Sequence, residues 1–123
     1  MGIVKPRQAA AALAGYWSPR VIAEIDDAYI KVAKLKGTLT WHCHAAEDEM
    51  FLVLRGKLRI EMEALTVDLE EGDLYVVPKG VRHNPIADEE CCVLLIEKKS
   101  TAHTGNVVSP QTRSIEAQLA AER

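Results

Sequence analysis

Aromatic residues make up only 5% of these 123 residues, with a single phenylalanine, and cysteine is limited to Cys43, Cys91 and Cys92. No apolar run approaches the roughly 20 residues that a membrane-spanning helix requires. Each shortage excludes something. Three cysteines are an odd set, and neighbours such as Cys91 and Cys92 point to opposite faces of a strand, so no disulfide framework is expected. The thiols read instead as small buried apolar groups in a reducing compartment. Lys and Arg number 15 against 18 Asp and Glu, for a net charge of −3. They are spread along the chain without forming a stripe, so the electrostatic footprint of a nucleic-acid binder is missing. The start, Met1 to Gln8, has no apolar stretch of the secretory kind. The expectation is a cytoplasmic protein with neither nucleic acid nor membrane as partner.

What remains is 48% hydrophobic and 27% charged, enough for one compact domain with a core. The alanine-rich stretch Gln8 to Leu13 suggests a short helix with little stripe to bury, hence a loosely attached arm over residues 1–19. From 20 to 99, short segments rich in Val, Ile, Leu, Tyr and Thr alternate with Gly, Pro, Asp and Asn, the rhythm of an all-β domain. Strands are expected at Val21–Ile25, Ala28–Lys36, Thr38–His44, Met50–Leu54, Lys57–Glu63, Leu65–Leu69, Leu74–Val77, Arg82–Pro85 and Cys92–Glu97. Alternation is clearest at Leu58, Ile60 and Met62 against Lys57, Arg59, Glu61 and Glu63. Turns at Arg55-Gly56-Lys57 and Glu71-Gly72-Asp73 separate strands, as in a sandwich or closed barrel. Residues 100–123 form a loop and then a short helix, with Ser109-Pro110 as cap and first position, reaching about Ala121 and facing the body with Ile115 and Leu119.

The chemistry concentrates in two segments. Gly37-Thr-Leu-Thr-Trp-His42-Cys43-His44-Ala-Ala-Glu47-Asp48-Glu49-Met50-Phe51 continues to Gly56. On a strand, His42 and His44 project from one face and reach a single ion while Cys43 turns away. Asp48 or Glu49 then supplies an anionic oxygen. Alone, H-x-H is common and carries little information. The second segment, Gly72-Asp73-Leu74-Tyr75-Val76-Val77-Pro78-Lys79-Gly80-Val81-Arg82-His83, adds a turn that delivers a third histidine.

Together these segments resemble the two motifs of the cupin superfamily, in the right order. The first motif has a glycine, H-x-H, a glutamate after three or four residues and a glycine after six more. Glu49 and Gly56 match, which favours Glu49 over Asp48 and Glu47. The second has a glycine five residues before P-x-G and a histidine two residues after it, matched by Gly72, Pro78, Gly80 and His83. Gly37 stands one residue closer to His42 than in the commonest pattern, and Ala87 replaces a frequent asparagine; neither change removes a ligand. The resemblance covers about Ala28 to Glu97. It implies a double-stranded β-helix, a jelly-roll barrel, enclosing one divalent metal on His42, His44, Glu49 and His83.

Three imidazoles and a carboxylate suit Fe, Mn, Co, Ni or Zn, and an octahedral ion keeps two positions open. A bidentate oxygen ligand such as a sugar, a sugar acid or an enediol fills both, which favours a metal-dependent isomerase, lyase or dioxygenase. The cavity's remaining walls are expected from Phe51 and Val53, from Leu58, Ile60 and Met62, and from Cys92, Leu94 and Ile96. Tyr29, Lys31, Trp41, Tyr75 and Arg82 are the polar candidates at its mouth, none assigned as catalytic. His103 reads as a surface residue. The resemblance points to the small phosphomannose-isomerase-like cupins, and the competing reading is a binding or sensory barrel that holds a small ligand without turning it over. Small cupins commonly pair, and open strand edges suggest a homodimer.

Overall fold

The structure, a computed structural model, describes residues 2–120; Met1, and Ala121 at the expected end of the C-terminal helix, lie outside the described residues. Chain order is α1 (Pro6–Ala11), β1 (Arg20–Ile25), β2 (Ala28–Thr38), β3 (Glu49–Arg55), β4 (Leu58–Met62), β5 (Thr66–Leu69), β6 (Leu74–Val77), β7 (His83–Lys98) and α2 (Ile115–Leu119). The strands pair antiparallel in the order β1-β2-β7-β3-β6, while β4 pairs with both β5 and β7. This is a β-barrel with small helices, as the resemblance implies. Its core gathers Leu35, Phe51, Val53, Leu58, Ile60, Met62, Val77 and Val93. In β4 the expected alternation appears, with Leu58, Ile60 and Met62 buried and Arg59 and Glu61 half-exposed.

One strand organises the rest. The sequence suggests two strands, Arg82–Pro85 and Cys92–Glu97, but β7 is a single run of 16 residues. Its first part, His83 to Ile86, pairs with β4, and its last part pairs with β2 on one side and β3 on the other. Between them, the β2 register shifts from Leu35 opposite Cys91 to Gly37 opposite Ala87. A bulge of this kind bends a strand without ending it, so the acidic run Asp88 to Glu90 lies exposed on the crossing rather than in a separating loop.

The same strand corrects a phase. Cys91, Val93, Leu95 and Glu97 face inward, not Cys92, Leu94 and Ile96, and Cys92 packs with Ala10, Leu13 and Val32. The N-terminal segment covers the outer face of this part of the sheet, so both faces are apolar and alternation no longer marks the inner one. The expected strand Thr38–His44 is also absent as such. β2 absorbs Thr38, and beyond it Leu39 N–H donates to Pro85 O at 3.4 Å and His42 forms an isolated bridge to His83.

The N-terminal segment is not a loose arm. Ala10, Leu13 and Trp17 are buried, and Lys34 donates to the Leu13 carbonyl at 2.8 Å. Trp17 sits at φ 56°, rare for a bulky residue, and is held there by its backbone N–H on Lys34 O at 2.9 Å and its Nε1–H on Lys36 O at 2.7 Å. At the other end, Ser109 and Pro110 open a turn that Thr112 closes onto Ser109 O. The helix starts only after Ser114, whose Oγ accepts from the Ala117 N–H at 3.1 Å. It buries Gln118, while Leu119 is exposed and Ile115 half-buried.

If Trp17 is a core residue, Trp17→Ala lowers the unfolding free energy by about 3–5 kcal/mol, the range for aromatic truncation in a core. Urea denaturation measures it, and a loss within about 0.5 kcal/mol, typical of surface sites, would return the segment to a detached arm.

Candidate metal centre

The turn Pro78–Val81 and the short bridge between His42 and His83 build the site. His42 N–H donates to His83 O at 3.0 Å and His83 N–H donates back to His42 O at 2.9 Å, so the H-x-H segment is stitched to the start of β7. Gly80 N–H donates to His44 O at 2.8 Å, which ties the P-x-G turn to the same segment. Glu49 opens β3 and stands opposite Glu97 on β7 and Val77 on β6. The spacing of the two sequence motifs therefore reflects three neighbouring chain segments that meet at one end of the barrel.

All four sequence-predicted residues arrive there. His42, His44, Glu49 and His83 are 2%, 4%, 6% and 0% exposed, and one ligand atom from each lies within 4.8 Å of the others. Their ring centroids are 4.4 to 5.7 Å apart. Asp48 is turned away, with its Oδ1 accepting the Lys79 N–H at 2.9 Å, and Glu47 accepts from Ser100 at 2.9 Å.

Hydrogen bonds orient two of the rings. His42 Nδ1 lies 2.8 Å from Thr40 O, and His83 Nδ1 lies 3.0 Å from Val81 O. A carbonyl accepts only, so in a neutral ring Nδ1 carries the proton and Nε2 presents a lone pair to the interior. Glu49 Oε1, itself an acceptor when ionised, is 3.2 Å from His83 Nε2 and 3.3 Å from His44 Nε2. His44 Nδ1 has no hydrogen-bond partner among the described residues, and its Nε2 faces Glu49 Oε1 alone.

The electrostatics agree with this crowding. Burial, the main cause, pushes His42 down to about 4. Burial alone would raise Glu49, but its bonds to His44 and His83 outweigh it and hold the carboxyl well below the usual range. Behind Glu49 stands Glu97, which faces it across the β3–β7 pairing. Burial, reinforced by the Glu49 charge, holds Glu97 well above the usual range. Lys31, 1% exposed, places Nζ 2.6 Å from Glu97 Oε1 and 2.5 Å from Gln118 Oε1. Among the described residues Glu97 Oε2 has no partner.

A small, partly open cavity of about 30 Å³ borders His42, Glu49, Phe51, Leu95, Glu97 and His103. Of the polar residues proposed from the sequence for the mouth, none lines it. Trp41 lies under the Arg82 guanidinium at 5.4 Å, the Tyr75 hydroxyl contacts Met62 Sδ at 3.9 Å, and Tyr29 has Lys31 and Lys99 near its ring. Lys31 stands behind the cavity wall, held by Glu97 and Gln118. Three participants escaped the sequence: Glu97, hidden by the phase of β7; Gln118, which reaches Lys31 from α2; and His103, half-buried in the cavity wall.

Over residues 29–97, more than half its length, the chain matches the Cupin domain family. It is a cupin. A cupin-2 domain protein of known crystal structure from Shewanella frigidimarina is 40% identical, with a TM-score of 0.76 over 79% of this chain and 95% of that one. Protein NMB1881 from Neisseria meningitidis is 28% identical, with a TM-score of 0.73 over 80% of this chain and all of that one. The uncharacterised protein YdbB of Bacillus subtilis is 33% identical over 79 residues, 63% of this chain and 70% of that protein.

In this cupin the buried histidines make the metal-free fold acid-sensitive. Burial is the main cause that lowers both His42 and His103 to about 4, against roughly 6.5 in an unfolded chain. Between those values the unfolded state binds protons that the folded state refuses, so stability falls as pH drops from about 6.5 to 4. Glu49, held low, adds a loss in the same direction below the usual carboxylate range, whereas the raised Glu97 opposes folding as pH rises. The urea midpoint of metal-free protein is expected to fall across that window and to fall less in His103→Gln. A midpoint that stays flat from pH 6.5 to 4 would contradict the burial of both rings.

Proposed function

We propose that His42, His44, Glu49 and His83 hold one divalent transition metal and that this cupin is a metal-dependent enzyme for a small oxygen-rich molecule. The candidates are a sugar, a sugar acid or an enediol, by isomerase, lyase or dioxygenase chemistry. The observation that carries the proposal is the meeting of lone pairs without protons. Two imidazoles whose Nδ1–H groups are spent on carbonyls, a third whose Nε2 lies 3.3 Å from Glu49 Oε1 and whose Nδ1 has no partner among the described residues, and an ionised carboxylate converge in a buried space. Acceptors so placed cost several kcal/mol unless a cation satisfies them. Nitrogen and oxygen donors of this kind suit Fe, Mn, Co, Ni or Zn.

Bound there, the ion would supply Lewis-acid polarisation of a ligand oxygen, or redox chemistry if it is iron or manganese. The protein's own contributions are legible. The Thr40 and Val81 carbonyls fix the faces that His42 and His83 present, as partners outside the ligand shell do in metal sites. Phe51, Leu35 and Leu95 exclude water from the inner wall. Glu97, with Oε2 free of partners among the described residues and its other oxygen held by Lys31, is the carboxyl placed to give or accept a proton at a molecule in the cavity, which favours an enzyme over a passive binder. The second reading, a small-ligand-binding or sensory barrel, draws on the apolar majority of that wall, Ala33, Leu35, Leu39, Phe51, Val93 and Leu95. The cytoplasm is the proposed location and a homodimer the proposed state, since β1 ends the sheet and leaves an edge for a second copy.

Elemental analysis of untagged protein purified without chelator tests the metal. About one equivalent of Fe, Mn, Co, Ni or Zn per chain is expected, and none in the His42→Ala, His44→Ala double variant. Protein that stays metal-free after reconstitution, or a double variant that keeps its metal, would overturn the assignment.

A further inference from the structure

The segment that follows β7 lies against the metal centre. Asn106 clasps the middle of H-x-H: its Oδ1 accepts the Cys43 N–H at 3.1 Å, and its own N–H donates to Cys43 O at 3.2 Å. Gly105, at φ 56°, makes that approach possible, because a Cβ there would fall 2.0 Å from Cys43 O and 3.3 Å from His44 Nδ1. Thr104, buried, bonds Val107 O and Thr112 and braces the loop from within. The segment is a built part of the site, and it brings His103 into the cavity wall beside His42, Glu49 and Glu97.

The proton on that ring is located by its partner. The Arg113 backbone N–H donates to His103 Nδ1 at 2.9 Å, so Nδ1 is an acceptor and the neutral ring carries its proton on Nε2. Among the described residues nothing accepts a hydrogen bond from His103 Nε2–H. Arg113 is itself anchored, with its carbonyl accepting from Gln118 Nε2 at 3.0 Å while Gln118 Oε1 receives the buried Lys31. The Arg113 peptide thus links His103 to the Lys31–Glu97 pair behind the proposed metal ligand, and His103 and Glu97 present the cavity with two polar groups that share one scaffold. A neutral ring costs little to bury, and the low pKa that burial gives His103 keeps it neutral through the physiological range.

We infer that His103 is a ligand-positioning residue whose Nε2–H donates a hydrogen bond to an acceptor oxygen of the small molecule held in the cavity. The inference deepens the proposed function and rests on it. The class of molecule follows from the donor. A ligand of this site carries, besides the oxygens offered to the metal, a carboxylate, carbonyl or enolate oxygen with a free lone pair, and a molecule offering only N–H or O–H at that position is disfavoured.

The test uses full-length protein loaded with Mn²⁺ and titrated with oxalate, whose oxygens are acceptors only, by calorimetry, for wild type, His103→Leu and His103→Gln. Leucine removes the donor, and glutamine restores an amide N–H at similar reach. All three are expected to bind one Mn²⁺. Oxalate binding is expected to weaken by at least about tenfold in His103→Leu, the worth of a hydrogen bond to a charged group, and to recover most of that in His103→Gln. Unchanged oxalate affinity in metal-loaded His103→Leu would overturn the inference and leave the metal assignment standing. Loss of Mn²⁺ from both variants would also overturn it, making His103 part of the scaffold. Wild type that takes up no Mn²⁺ would overturn the metal reading, and this inference with it.

Discussion

Four acceptors with too few protons meet in the buried end of this barrel, and the architecture around them keeps them together. Glu49 Oε1 faces His83 Nε2 at 3.2 Å and His44 Nε2 at 3.3 Å. Such an arrangement repels itself unless a proton or a cation sits within it. The backbone bridge between His42 and His83, the Gly80 bond to His44 O and the register that sets Glu49 against Glu97 all resist that repulsion. A polypeptide that spends backbone bonds on holding lone pairs in proximity is preorganised for a ligand that accepts them all.

β7 sets the geometry on both sides of this centre. It carries His83 at one end and Glu97 near the other, and its bulge opposite Leu35 and Gly37 turns a single strand from the β4 side of the barrel to the β2–β3 side. One strand therefore carries both His83 of the proposed ligand set and Glu97 of the pair behind it. Lys31 finds Glu97 because β2 and β7 run in register, Lys31 opposite Leu95 and Tyr29 opposite Glu97. The charge on Lys31 offsets part of the cost of placing a second carboxyl next to Glu49.

The residues that converge at the centre were legible because their spacing matches two motifs whose turns, at Gly72 and Pro78–Gly80, are local. The strand expected to aim the two rings of H-x-H, however, is replaced by the bridge to His83. β4 was legible by alternation and β6 by its flanking turns. What was not legible is non-local. Alternation from Cys92 to Glu97 has two equivalent phases, and the inner one is decided by Ala10 and Leu13 covering the outer face, which no pattern within β7 records. The wrong phase hid Glu97. Gln118 and His103 depend on where a loop folds back, and the Ser109-Pro110 signal, spent on a turn, displaced the helix that carries Gln118. Trp17, one of the few large aromatics in the chain, was the available hint that the N-terminal segment is packed rather than loose.

The most direct test of the central claim is the position of the ion. A crystal of the protein loaded with Mn²⁺, Co²⁺ or Zn²⁺ and measured at that metal's absorption edge is predicted to show one anomalous peak within about 2.0–2.3 Å of three imidazole nitrogens and a Glu49 oxygen, with Cys43 outside its reach. A peak on Cys43, on His103 or at the acidic surface run Asp88 to Glu90, with the space between His42, His44, Glu49 and His83 free of metal, would contradict it.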